Sequence, residues 1–245
     1  MDIIISPAKQ MKPDYDTFYP EAYPQFLPQT KTLLAALKTL SPEDRQKLWA
    51  ASDKLSAQAE GQLAAIDFKQ PLTPAVLAYV GVQYQAMAPD LFTEPALQYI
   101  SAHLKILSGF YGVLRPFDGI MPYRLEMGAK LAIGEAANLY EFWGPRLHDA
   151  LTFPVLNLAS VEYAKAVRPY LTPAETMIDV VFGHLVNGVV KTRATKAKLA
   201  RGAMVRYIAE HQLSDPASIV NFDHPRYHYA ADLSTPTKFV FLTED

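Results

Sequence analysis

The sequence predicts one compact domain of α+β (mixed α/β) type over residues 1–245, with a central sheet flanked by helices. Three observations predict it. Short runs of β-branched and aromatic residues interleave with longer stretches of helical apolar spacing, but without a clean βαβ rhythm. The 245 residues hold no internal repeat, low-complexity tract or Gly/Ser linker, so nothing marks a second domain. Half of the residues are hydrophobic and 20% charged, with a net charge of −2, which supplies a core and argues against disorder.

The elements follow in chain order. Ile3-Ile4-Ile5 reads as a strand, because only three apolar residues precede the polar break at Ser6-Pro7 and no basic segment comes before them. Helical spacing covers 31–40, 42–51 and 53–66. Ser41-Pro42, Thr73-Pro74, Thr172-Pro173 and Asp215-Pro216 each read as an N-cap followed by proline at the first helical position. After Thr93, the residues Leu97, Ile100, Leu104 and Leu107 recur at helical spacing and stop at Gly109. Further strands are predicted at 155–158, 177–182, 186–190 and 239–242. A last helix, 195–209, gathers Ala197, Ala200, Ala203, Met204, Tyr207 and Ile208 on one face and Lys198, Arg201 and Arg206 on the other. Residues 14–28 carry Tyr15, Phe18, Tyr19, Tyr23 and Phe26 among Pro13, Pro20, Pro24 and Pro28, which forbid regular structure there. These aromatics are expected to pack onto the core, with a stacking platform for bases as the sharper alternative.

Composition excludes several chemistries. The chain has no cysteine, so disulfides, thiol nucleophiles and zinc–thiolate or iron–sulfur sites are out of reach. No apolar run approaches the ~20 residues that span a bilayer, and a soluble cytoplasmic protein without membrane partners is expected. No G-x-G-x-x-G, Walker A, H-E-x-x-H or G-x-S-x-G pattern occurs. The net charge conceals a concentration. Between Asp179 and Glu210 there is no acidic residue, while Lys191, Arg193, Lys196, Lys198, Arg201 and Arg206 all fall inside. Such a run attracts phosphates through charge and counterion release, unless acids from elsewhere in the fold neutralise it.

Three other places carry candidate chemistry. Leu107 to Pro116 holds Gly109 and Gly112 after a predicted helix, and a helix, a Gly-containing hairpin and a second helix is the general shape of DNA-backbone readers. Arg115 and Arg124 would complete that contact. The strand ends at Ser6 and Lys9, and at Asn157 and Ser160, stand where ligands collect beyond the carboxyl ends of open sheets, with Glu126 as the nearest acid–base candidate. His224 and His228 have a metal-ligand spacing, but Pro225 between them disfavours a continuous helix, and neither a metal nor a cofactor is expected.

Blocks spread over the whole chain resemble the YaaA family of bacterial peroxide-stress proteins. They are Ile4-Ile5-Ser6-Pro7-Ala8-Lys9, Ser52-Asp53-Lys54-Leu55, Leu107-Ser108-Gly109 through Tyr111-Gly112-Val113-Leu114-Arg115-Pro116, and Pro122-Tyr123-Arg124-Leu125-Glu126-Met127-Gly128. Leu139-Tyr140 with Phe142-Trp143-Gly144, Asn157-Leu158-Ala159-Ser160 with Glu162-Tyr163, and Lys198 through Arg201-Gly202 to Arg206 complete the set. The resemblance implies a cytosolic protein that defends against hydrogen peroxide and limits iron-dependent DNA damage. It further implies an α+β fold with a basic cleft and a helix-hairpin-helix element that binds double-stranded or structured DNA with little sequence preference. The hairpin falls by position on 107–116. A monomer is favoured, and an enzyme acting on a nucleotide or damaged nucleic acid through Ser6, Lys9, Arg124 and Glu126 is the rival reading. One block departs from the family pattern: Gly81-Val82-Gln83-Tyr84-Gln85-Ala86 stands where Gly-Asp-Val-Tyr-x-Gly is usual.

Overall fold

Ile3, Ile4 and Ile5 are all fully excluded from solvent. A strand that presents apolar side chains to both faces must be covered on both, which is the usual condition of a parallel sheet. Their strand, Asp2–Ile5, lies at the centre of the main sheet in a computed structural model that describes residues 1–244. It pairs in parallel with Leu104–Ser108 on one side and Val155–Asn157 on the other. Beyond Val155–Asn157 come Met177–Val186 and Lys238–Leu242, both also parallel. Antiparallel strands Gly112–Leu114 and His228–Tyr229 close the two edges. The fold is therefore a single mixed α/β unit on a mostly parallel sheet. The chain runs from the central strand to one neighbour and later returns to pair on the other side. This makes the carboxyl end of Asp2–Ile5 a topological switch point, where open α/β sheets bind ligands.

Several elements match their sequence patterns. Helices span Leu27–Thr39, Pro42–Trp49 and Asp53–Ala65. Ser41 caps the second by accepting the Asp44 amide, and Asp215 accepts the Ala217 amide at the start of the 3₁₀ turn Pro216–Asn221. The last helix is Ala194–Glu210, with Ala197, Ala200, Met204 and Ile208 buried as the periodicity required. In the proline-rich segment the two phenylalanines pack inward, Phe18 edge-on to Phe117 and Phe26 edge-on to Trp143, while Tyr15, Tyr19 and Tyr23 stay exposed.

Three expectations are corrected, and one boundary shifts. The helix after Thr93 stops at His103, and Leu104–Ser108 is a strand, because pairing with the central isoleucines outweighs a helical spacing that a fully buried strand also satisfies. Segment 107–116 is a β-hairpin, not a helix-hairpin-helix. Gly109 and Gly112 are buried in it. A Cβ on Gly109 would stand 2.7 Å from the Leu125 carbonyl oxygen, and one on Gly112 (φ 77°) 2.9 Å from the Trp143 ring. The turn amides of Phe110 and Tyr111 are satisfied by the Ser108 hydroxyl, so this turn offers no phosphate cradle. Thr73-Pro74 lies in a two-residue strand paired to Gly119–Ile120, with the Thr73 hydroxyl accepting the Asp14 amide, and Thr172-Pro173 is a turn held by Glu175. Finally, the two strands expected at 177–182 and 186–190 are present with a shifted boundary. Met177–Val186 is one strand that folds back through Asn187-Gly188, both at positive φ, into Val189–Lys191.

The long helix lies against Val82–Met87 at backbone distance. Gly202 makes this possible, since a Cβ there would stand 2.0 Å from the Gln83 carbonyl oxygen. Gly202→Ala is expected to force the two helices apart and to cost about 2–3 kcal/mol of stability, read as a lowered midpoint in urea with little change in slope.

Candidate functional site

A cleft of about 450 Å³ opens at the switch point. Its floor is the junction of two strand ends. Ser6, just past Asp2–Ile5, accepts the Ser160 amide at 2.8 Å, and the two hydroxyls lie 3.3 Å apart, so the exits of neighbouring strands are tied together. The buried Tyr84 donates to the Ser6 carbonyl at 3.0 Å from the opposite wall. Lys9 follows Ser6 along the rim, and the block 123–126 supplies a second wall. The third is the long helix, which places Lys198 one turn before Gly202 and Arg201 immediately before it.

The polar groups of the cleft differ sharply in whether they are paired. Glu126 lies 2.9 Å from Lys9 and 3.5 Å from Arg124, and Glu162 accepts the Gly128 amide at 2.8 Å. Both acids are thus engaged. Arg201 has no carboxylate or other hydrogen-bond acceptor among the described residues, although its guanidinium is largely buried and desolvation holds its pKa below the ordinary arginine value. Buried side-chain donors without an acceptor are rare in folded proteins, and each costs about 1–3 kcal/mol. Four stand out here: Trp49 Nε1, Gln83 Nε2, Arg124 Nε and Arg201 Nε. The last three belong to residues lining this one cleft. The concavity thus has surplus donors and two cations beyond its own ion pairs, the features that charge-assisted hydrogen bonds to an anion would use.

Deeper still, Tyr123 joins a short hydrogen-bonded chain. The Ser108 hydroxyl accepts two backbone amides, so its proton goes to the Tyr123 oxygen at 2.6 Å, and Tyr123 in turn meets Tyr79 at 2.8 Å. Burial, offset by these hydrogen bonds, leaves the Tyr123 phenol raised to about 12. The chain fixes the cleft wall and keeps Tyr123 protonated at physiological pH.

A second cavity of about 630 Å³ adjoins the first, and Arg201 lines both. Asn157 belongs to it. Its amide donates to Asp179 at 2.7 Å and its carbonyl oxygen accepts the Ala159 amide at 3.0 Å, so Asn157 organises the neighbouring strand and does not line the first cleft.

The structure therefore gathers Ser6, Lys9, Arg124, Glu126, Ser160, Lys198 and Arg201 in one place. Others lie apart. Arg115 is held by the buried carboxylate of Asp118 at 2.8 Å, and Arg206 pairs with Glu210 at 2.8 Å one turn along its helix. Lys191 and Arg193 are exposed where the hairpin leads into the helix, and Lys196 is half-buried with a partner of its own. Contrary to the helical-wheel reading, Arg201 turns inward to the cleft. Sequence reasoning also missed Gln83, Tyr84 and Tyr163. Tyr163 stands beside Glu162, and Gln83 and Tyr84 lie in the block 81–86, both already singled out, but no residue type there marked them as lining a site. Val82, at the position where the family pattern has Asp, lines the cleft as well, so no carboxylate stands at that point. At His224, Nδ1 accepts the Arg226 amide, and burial together with the Arg226 charge lowers its pKa against the pull of Asp223. No group of three or more His, Asp or Glu stands together as metal ligands among the described residues, and no helix among them is long and apolar enough to cross a membrane.

An α/β sheet with a crevice at its switch point belongs to the architecture in which ligands collect beyond the carboxyl ends of the strands. The chain belongs to the peroxide stress protein YaaA family, whose pattern matches residues 1–233. It is 55% identical to a UPF0246 protein of Lactiplantibacillus plantarum over 245 residues, 99% of each chain. It is 50% identical to one from Pediococcus pentosaceus and 49% to one from Lacticaseibacillus casei, in both cases over the whole of this chain.

Replacing the unpaired guanidinium by an apolar side chain of similar length separates ligand binding from stability. Arg201→Met is expected to raise stability by about 1 kcal/mol, because a buried charge without a partner is removed. The same change should abolish the protection that inorganic phosphate gives the wild-type protein in a thermal melt. A less stable variant that keeps the phosphate effect would contradict the assignment.

Proposed function

We propose that this peroxide-stress protein binds DNA through phosphate contacts centred on the switch-point cleft, with little dependence on sequence. By occupying DNA it helps limit iron-dependent oxidative damage. The observation that carries the reading is Arg201, a buried guanidinium without an acceptor, in a cleft shared with Arg124 and Lys198. The exposed Lys191 and Arg193 extend the cationic surface toward the start of the same helix. Arg115, Arg206, Gly109 and Gly112 drop out of the contact set, because their charges are matched internally or their backbone is buried.

Each phosphate contact on a duplex contributes about −0.9 to the slope of log affinity against log salt. Lys198→Ala and Arg201→Met are therefore each expected to flatten that slope by about 0.9. Arg206→Ala and Arg115→Ala should leave it unchanged, since those cations already have carboxylate partners. Fluorescence anisotropy with a labelled duplex across a salt series measures all four, and equal effects from the four variants would refute the reading.

The size of the cleft favours a second possibility. About 450 Å³ holds a single nucleotide and not a duplex, which suits an enzyme acting on a nucleotide or on a damaged position of nucleic acid with Glu126 as its acid–base group. Incubation with damaged and intact duplexes, compared between wild type and Glu126→Gln, decides it. Base release or strand scission by the wild type alone establishes the enzyme, and its absence leaves binding as the activity.

A further inference from the structure

The strand Met177–Val186 pairs with the sheet only as far as Gly183. Past that point it bonds solely to its own return strand, with Val186 opposite Val189, Leu185 opposite Val190 and His184 opposite Lys191. The ribbon therefore stands free of the sheet and ends in the tight turn Asn187-Gly188. Directly opposed residues share a face of an antiparallel pair. One face thus carries Val186 and Val189 at the tip, with His184 and Lys191 a rung behind, and the other face carries Leu185. These aliphatic side chains are unusually open to solvent for their type: Leu185 is 50%, Val186 41% and Val189 55% exposed. Arg193 and the start of the cleft helix follow at once, and no acidic residue occurs between Asp179 and Glu210.

We propose that this hairpin is a wedge that enters a groove of duplex DNA and seats the tip pair Val186 and Val189 against a base step, with Leu185 on the opposite face against the groove wall, while Lys191 and Arg193 hold the flanking phosphates. The proposal rests on the DNA reading above and adds to it a site of contact and a deformation. An apolar tip backed by cations is the arrangement with which architectural proteins unstack and bend a duplex. A two-stranded ribbon is also narrow enough to enter a groove. An anionic membrane is the other polyanionic surface that such a tip fits. The ribbon has no Trp, Tyr or Phe, the residues that anchor proteins at a bilayer interface, and this favours DNA.

The test uses the full chain and a duplex carrying 2-aminopurine, whose fluorescence rises when its stacking is lost. Wild type is expected to bind at low salt and raise the signal severalfold. The variant Leu185→Ser/Val186→Ser/Val189→Ser, altered only at exposed positions, should bind at least tenfold more weakly, lose the rise and keep the salt slope. Lys191→Ala/Arg193→Ala should keep the rise and flatten the slope by about 1.8. Binding by the wild type without any rise, or a triple-Ser variant that behaves as wild type, overturns the wedge while leaving phosphate binding intact. Failure of the wild type to bind any duplex overturns both readings. Sedimentation with phosphatidylglycerol vesicles, abolished in the triple-Ser variant, together with an unchanged duplex signal, would assign the tip to a membrane.

Discussion

The parallel pairing of Asp2–Ile5 on both of its edges is the constraint on which the rest of the molecule depends. Its three isoleucines are packed on both faces, and the Asp2 carboxylate accepts the Thr152 amide at 2.8 Å with Lys105 3.6 Å away. A strand held in this way cannot shift register without exposing apolar side chains or orphaning its ladder. It therefore fixes where its two neighbours end. The floor of the cleft, Ser6 against Ser160, is the direct product of that register.

The cleft then illustrates how a fold maintains an unfavourable arrangement. The close approach at Gly202 locks the long helix in place, and with it a guanidinium that finds no acceptor. The Nε of Arg201 is shut away from water without an acceptor, and desolvation works against its charge. The chemistry of peroxide also bears on the composition. The chain has no thiol to oxidise, and five of its seven methionines, Met11, Met87, Met127, Met177 and Met204, are buried. Sulfoxide formation, which disrupts cores, is thereby hindered at these positions.

Much of the architecture was legible because local and tertiary preferences agree. The isoleucine run, the capped helix after Ser41, the start of the helix after Thr93, and the buried stripe Ala197, Ala200, Met204 and Ile208 all read correctly. The errors arose where two patterns coexist. Leu104 and Leu107 continue a helical period yet complete a buried strand, and only the adjacent central strand decides between them. Two glycines three apart after a helix look like a phosphate turn, whereas here they make room for the Leu125 backbone and the Trp143 ring. At the site, Ser6, Lys9, Arg124, Glu126, Ser160, Lys198 and Arg201 were recognisable as residue types at strand ends or in a charged run. Which cations are already neutralised was not recognisable, since Asp118 and Glu210 reveal their pairing with Arg115 and Arg206 only in three dimensions. Gln83 lay in a block noted for its departure from the family pattern, but its role was not legible, because an unsatisfied amide is a property of its surroundings.

The tie between Ser6 and Ser160 spans 154 residues, and the cations opposite it come later still, at 198 and 201. The strand Asp2–Ile5 thus pairs only across long loops, and loop closure over such distances is slow. Until the last helix docks through Gly202, no cationic crevice exists. The crevice is thus a late product of folding, assembled only when the long helix packs against Val82–Met87.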